Sequence, residues 1–201
     1  MAPLVRRERR GGNDEDEDPM TSGQTHIAFL RAVNVGQRKV EMARLREVLT
    51  QLGFGAARTY IASGNAFFTS ADSDREAIVE RIEGGLAEAF GFEIPTIVRT
   101  IAELRAELAA SPFAGQQPAA DERHSMIYTS GALTGRAFPL RSPKGEWEVL
   151  GACQGTAFVR WRLRNGRPVN PAPVVEKAFG VRATGRFFHT SVKILAAAEK
   201  G

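Results

Sequence analysis

Two stretches of this chain carry side chains whose types and spacing suit anion chemistry. In "FVRWRLRNGR" (158–167), a strand puts Val159, Trp161 and Leu163 on one face and Arg160, Arg162 and Arg164 on the other. Alternate strand residues lie about 7 Å apart, close to the repeat of phosphates along a nucleic-acid strand, and arginine pairs well with phosphate. The alternative is a solvent-facing sheet side with its charges outward. In "FLRAVNVGQRKVEM" (29–42), an apolar run stops at Arg31, and a loop with Asn34, Gly36, Arg38 and Lys39 precedes a helical pattern. A glycine-containing strand-to-helix turn presents backbone N–H groups to an anion, and Arg38 and Lys39 add charge. Asn34 and Gly36 are equally the residues of a bare turn, and the loop matches neither nucleotide-binding glycine motif.

Other chemistries have less to stand on. Phe67 and Phe68 are adjacent in "SGNAFFTS", so on a strand one of them points away from the helices. An exposed aromatic there would stack a base as RNA-recognition modules do, whereas the competing fate is burial against a second module. The leading basic residue and the glycine–aromatic alternation of the RNA signature are missing. His26, His124 and His189 lie far apart, which predicts no zinc site. His189 beside Thr190 and Ser191 hints at an activated hydroxyl, but neighbours on a helix point in different directions. Cys153 stands alone, so no internal disulfide forms and a small buried residue is its expected role. No resident cofactor or metal is expected.

The elements that must position these residues follow from periodicity. Residues 25–33 are apolar and β-prone, a strand. Val40, Leu45, Val48, Leu49 and Leu52 recur at helical spacing, so a helix runs from about Glu41 to Leu52 and ends at Gly53. Residues 57–70 read as two strands joined by a tight turn at Ser63-Gly64-Asn65. Ser73-Asp74-Arg75-Glu76 has capping-box form, and Ile78, Ile82, Leu86 and Phe90 behind it make an amphipathic helix ended by Gly91. Residues 93–99 form a fourth strand, which Pro95 assigns to a sheet edge. Thr100 to Glu103 is a second capping box, opening a helix to Ala110. The order β-α-β-β-α-β is that of the ferredoxin-like fold, an antiparallel sheet with two helices on one face.

Residues 111–122, "SPFAGQQPAADE", read as a linker. Beyond it, strands at 124–130, 146–151 and 156–163 and helices at 173–179 and 190–198 make a smaller module, so the class is α+β. No internal repeat is apparent. The predicted organisation is an N-terminal extension at 1–19, a ferredoxin-like module at 20–110, the linker at 111–122, and a smaller basic α+β module at 123–201.

Charge is unevenly spread over the 201 residues. The extension combines a basic and an acidic block with almost nothing to pack, which predicts disorder and makes Met20 a candidate start of the folded chain. Residues 123–201 hold 13 Lys and Arg against four Asp and Glu, a net +9, while the rest of the chain is acidic. A basic third points to a polyanionic partner or to a solvated basic surface. No apolar run approaches the roughly 20 residues that span a bilayer, and no export signal precedes the fold, so a cytoplasmic location and no membrane partner are expected.

"IAFLRAVNVGQRKVEMARLREVLTQLGF" followed by "RTYIASGNAFF" closely resembles the bacterial domain-of-unknown-function family 1697 (DUF1697). Its members read Leu-Arg-Gly-Ile-Asn-Val-Gly-Gly, then Lys-Val and Met, later Tyr-Ile-Gln-Ser-Gly-Asn, and near the C-terminus Thr-x-Arg-Asn-Trp-Asn-Thr. Arg31, Asn34, Val35, Gly36, Met42, Tyr60, Ile61, Ser63, Gly64, Asn65, Thr184, Arg186 and Thr190 match, and Phe188 stands for the tryptophan. Ala32, Gln37, Ala62, Phe187 and His189 depart from the pattern. The resemblance implies a ferredoxin-like part and a smaller α+β part, and it supplies no activity. It also implies that Arg31, Asn34, Ser63, Asn65, Arg186 and Thr190, mostly in turns, converge on one polar pocket between the modules. The expected ligand bears phosphate, a nucleic acid or a nucleotide. Arg31, Arg38, Arg160, Arg162 and Arg186 would supply charge, and Asn34 and Asn65 orientation. The alternatives are an enzyme acting on a small anionic metabolite in the inter-module cleft, and a partner-binding protein with no catalytic site.

Overall fold

The computed structural model describes residues 23–164, 166 and 168–200. The expectations for the N-terminal extension and Met20 lie outside the described residues. The first sheet contains β1 (Gln24–Leu30), β2 (Gly55–Thr59), β3 (Asn65–Ser70) and β4 (Thr96–Thr100), with α1 (Met42–Gln51) and α2 (Arg75–Phe90) between them. Its antiparallel order is β2-β3-β1-β4, the ferredoxin-like arrangement, with β4 at an edge. Strand β1 stops three residues short of expectation because Ala32 and Asn34 take left-handed backbone angles, φ 53° and 56°. The capping residue of α2 is Asp74 rather than Ser73; its carboxylate accepts from Glu76 N and Ala77 N. The box at Thr100–Glu103 forms as expected and opens α3 (Ile101–Ala109).

Gly85 lets α1 and α2 approach, since a Cβ there would meet the Leu52 side chain at 2.8 Å. Phe68 faces these helices, in a core with Leu45, Leu49, Ile78, Ile82 and Leu86.

The second sheet contains β5 (Glu122–Thr129), β6 (Leu140–Arg141), β7 (Trp147–Cys153), β8 (Thr156–Arg162) and β9 (Ala183–Phe187), ordered β6-β7-β8-β5-β9. Helices α4 (Ala172–Phe179) and α5 (Phe188–Ala198) flank β9. Strand β9 is absent from the sequence-based expectation because "ATGRF" is short and holds a glycine. A core between the sheets joins Ile27, Phe29 and Phe67 to Met126, Tyr128 and Phe158, with α3 and α5 filling the gap. Phe67 and Phe68 are both buried, so neither is open to stack a base.

The sheets of the two modules repeat one another in strand order, contrary to the sequence reading, with β6 standing where the first module has α1. Ile27 of β1 lies opposite Phe67 and Arg99; Met126 of β5 lies opposite Phe158 and Arg186. Leu30 N donates to Gly64 O as Thr129 N donates to Gly155 O, both at 2.8 Å. The matching Phe29 and Tyr128 stack on each other, ring centroids 3.9 Å apart. Like residues meeting like is the isologous pattern of a two-fold interface. The strand starts "GNAF" (64–67) and "GTAF" (155–158) are its faint trace in sequence.

Candidate ligand site

Arg186 is the centre of the expected polar pocket. From the β9 edge its guanidinium reaches into the first module. Nε donates to Asn65 Oδ1 at 2.7 Å, and Nη2 lies 3.0 Å from each of the carbonyls of Leu30, Ser63 and Gly64. Nη1 donates to Gly185 O and Thr184 Oγ1. All six acceptors are neutral, and burial lowers its pKa to about 10, which still leaves it charged at neutral pH. Asn65, fully buried, donates from Nδ2 to Tyr60 O and Ser63 Oγ. Asn34 ties its loop to the same place, donating to Ala62 O at 2.6 Å while accepting from Val40 N at 2.9 Å. The segments carrying Arg31, Asn65 and Arg186 therefore do meet. They meet as a joint whose hydrogen bonds close on the protein itself, with no guanidinium N–H of Arg186 left over.

Arg99 repeats this joint in reverse. From β4 it sends Nη2 to the carbonyls of Thr129 and Gly155, the counterparts of Leu30 and Gly64. Its Nε donates to Glu107 Oε1 at 2.8 Å in a buried ion pair. Burial pushes the Glu107 carboxyl up from its ordinary value, against the pull of Arg99. A Cβ on Gly155 would lie 2.5 Å from Arg99 Nη2, and one on Gly64 would lie 2.3 Å from Val33 Cγ2.

The remaining sequence-derived candidates are scattered. Arg31 makes a two-pronged ion pair with Glu176 of α4. Gly36 lies at an exposed turn, and Arg38 sits over the Phe92 ring, 5.4 Å from its centroid. Thr190 is half-buried in the first turn of α5, which begins two residues before the expected start at Thr190. Arg160, Arg162 and Arg164 each face an acid that the sequence pattern could not show. Arg160 pairs with Glu148, Arg162 with Glu122 at 3.7 Å, and Arg164 with Glu146 at 3.2 Å. Hydrogen bonds from Arg160 and Arg141 hold the Glu148 carboxyl below its ordinary pKa.

A cleft of about 560 Å³ opens elsewhere, along the free edge of β4. Its walls are Arg75, Glu76, Val79 and Glu80 of α2, residues Thr96 to Arg99, and Ser130 with Arg182 of the second module. Arg75 and Arg182 are about half exposed; Arg75 pairs with Glu103, and Arg182 grips both oxygens of Glu83 at 2.9 Å. Ser130 Oγ accepts from Arg182 N, and its own proton has no acceptor among the described residues. Sequence reasoning missed these residues because they come from four segments and have no common spacing. Among the described residues, no group of three or more His, Cys, Asp or Glu is placed to hold a metal, and no helix is long and apolar enough to cross a membrane.

The family model for a protein of unknown function, DUF1697, matches residues 24–152. The chain belongs to the DUF1697 family. The structure of a conserved bacterial protein, SP0830 from Streptococcus pneumoniae, superposes with a TM-score of 0.65 at 24% identity, covering 89% of this chain and 99% of that one. No match was found among curated proteins. Arg186, Asn65, Ser63 and Asn34 hold loops and modules together here. Ala32 has φ 53°, a conformation that glycine adopts without strain.

Proposed function

We propose that this protein binds a small anionic molecule, phosphate-bearing or carboxylate-bearing, in the cleft along β4. The supporting observation is the pair Arg75 and Arg182 on the walls of a cavity sized for a metabolite. Each is held by a carboxylate near the surface, where such a pair contributes roughly 0–1 kcal/mol. A ligand with two negative charges can take over both cations, and the Ser130 hydroxyl can donate to it. Arg186, by contrast, is buried with its donors already used, and Arg99, at the inner end of the cleft, is committed to Glu107 and to the carbonyls of Val98, Thr129 and Gly155. Nucleic-acid binding by β8 has weaker support, since Arg160, Arg162 and Arg164 are each matched by glutamate and only the net charge of residues 123–201 remains in its favour.

The test is a thermal-shift screen over inorganic phosphate, sugar phosphates, nucleotides and dicarboxylates. A true ligand at 100 times its Kd stabilises by about 2.7 kcal/mol, and Arg182→Glu should weaken it at least about tenfold. No stabilising compound, or one indifferent to both Arg182→Glu and Arg75→Glu, would overturn the reading.

A further inference from the structure

We infer that the β4 edge reads a planar donor–acceptor group, such as the edge of a nucleobase or a ring carboxamide, through Thr96 C=O and Val98 N–H. The inference rests on the anion reading for its location and adds the chemistry of the ligand's other end.

Residues of an antiparallel pair alternate between bonding the partner strand and turning both backbone groups away from it. Arg31 N donates to Pro95 O at 2.8 Å, so the bonded positions beside β1 run Pro95, Ile97, Arg99. Thr96, Val98 and Thr100 face outward. Most of their groups are already taken. Glu83 Oε1 accepts from Thr96 N at 2.8 Å, Val98 O accepts from Arg99 Nη1 at 2.9 Å, and Glu103 Oε2 accepts from Thr100 N at 2.8 Å. Capping of this kind is how an edge strand is kept from pairing with other chains. It stops short at one place. Thr96 C=O and Val98 N–H face outward with no partner among the described residues, and both residues line the cleft.

An acceptor on one residue and a donor two residues later form the bidentate edge that a single residue of a parallel strand would meet. A peptide strand needs a run of such pairs, and the caps at Thr96 N, Val98 O and Thr100 N leave only one. One pair suits a small planar group with a neighbouring donor and acceptor. Val79 supplies an apolar wall for its face, while Arg75 and Arg182 lie within the same cavity for its anionic end. A nucleoside monophosphate has this pattern in one molecule.

The experiment uses the full chain. Calorimetry compares AMP, GMP, CMP and UMP with ribose 5-phosphate, which has the phosphate and no base. Adenine and nicotinamide, which have the edge and no phosphate, are added separately. Backbone N–H NMR follows Val98 throughout. The expected result is at least one nucleotide binding about tenfold tighter than ribose 5-phosphate, the factor two ordinary hydrogen bonds supply, with a shift of the Val98 amide. Val98 shifted by adenine or nicotinamide while ribose 5-phosphate does not bind would support the edge and remove phosphate as the anionic end. Equal binding of nucleotides and ribose 5-phosphate with Val98 unmoved would overturn the edge and leave the anion reading standing. No response to any probe overturns the edge, and the anion reading then stands or falls on the dicarboxylates of the thermal-shift screen.

Discussion

At the scale of residues, the central fact is that Arg186 has six acceptors and no acid. Removing it leaves the Leu30 and Ser63 carbonyls and the Asn65 amide oxygen without their donor, while Gly64 O keeps only Leu30 N. A buried unsatisfied group costs roughly 1–3 kcal/mol, so Arg186→Met should lose at least about 3 kcal/mol in urea unfolding. His26 is a second buried polar residue, with both ring nitrogens lacking partners and the ring stacked on Phe68. Burial, then Arg75, lowers its pKa from 6.5, against Glu103 and Asp72. A histidine held neutral stabilises the fold above pH 6.5, and that contribution is lost as pH falls through the lowered pKa. His26→Phe should flatten the stability profile below pH 6.5, measured by urea midpoints at several pH values; an unchanged slope would rule His26 out as its source. The sequence pattern picked out Asn65 and Arg186 as ligand groups, and in the structure their hydrogen bonds go to the protein itself. Residue type says that an arginine wants acceptors, but not whether a ligand or three loop carbonyls supply them.

At the scale of elements, periodicity located every helix of the first module, because apolar spacing and caps are local. It overran β1 and joined β2 to β3 too tightly, since the loop Tyr60–Gly64 depends on unusual backbone angles. Ile61 in that loop is half exposed at φ 50°, a left-handed conformation that a β-branched residue adopts under strain. Ile61→Asn should therefore raise stability by about 1 kcal/mol, visible as a higher unfolding midpoint. On β8, cross-strand glutamates from β7 and β5 are far away in sequence, so the arginine run looked unmatched. Arg160→Glu combined with Arg162→Glu should change stability by no more than about 1–2 kcal/mol, because the pairs are partly exposed. A collapse of the fold would show that these arginines do more than the geometry indicates.

At the scale of the whole molecule, the two modules share a four-strand order and dock on each other through matching residues. Each sends an arginine from an edge strand to the same two carbonyls of the other, and Phe29 and Tyr128 stack between them. This duplication was nearly invisible in sequence, where only "GNAF" and "GTAF" and the two arginines survive, because a fold constrains burial and backbone contacts more than residue identity. The same joint creates the candidate site, since Ser130 and Arg182 reach the β4 cleft only when the modules are docked. The most direct test is urea unfolding of the wild type, Arg186→Met and Arg182→Glu. Tryptophan fluorescence reports the second module through Trp147 and Trp161, and amide exchange at Ala28 and Leu30 reports the first. Coincident transitions in the wild type are expected, displaced together by at least about 3 kcal/mol in Arg186→Met and nearly unmoved in Arg182→Glu. Separate transitions, or full stability in Arg186→Met, would contradict the account.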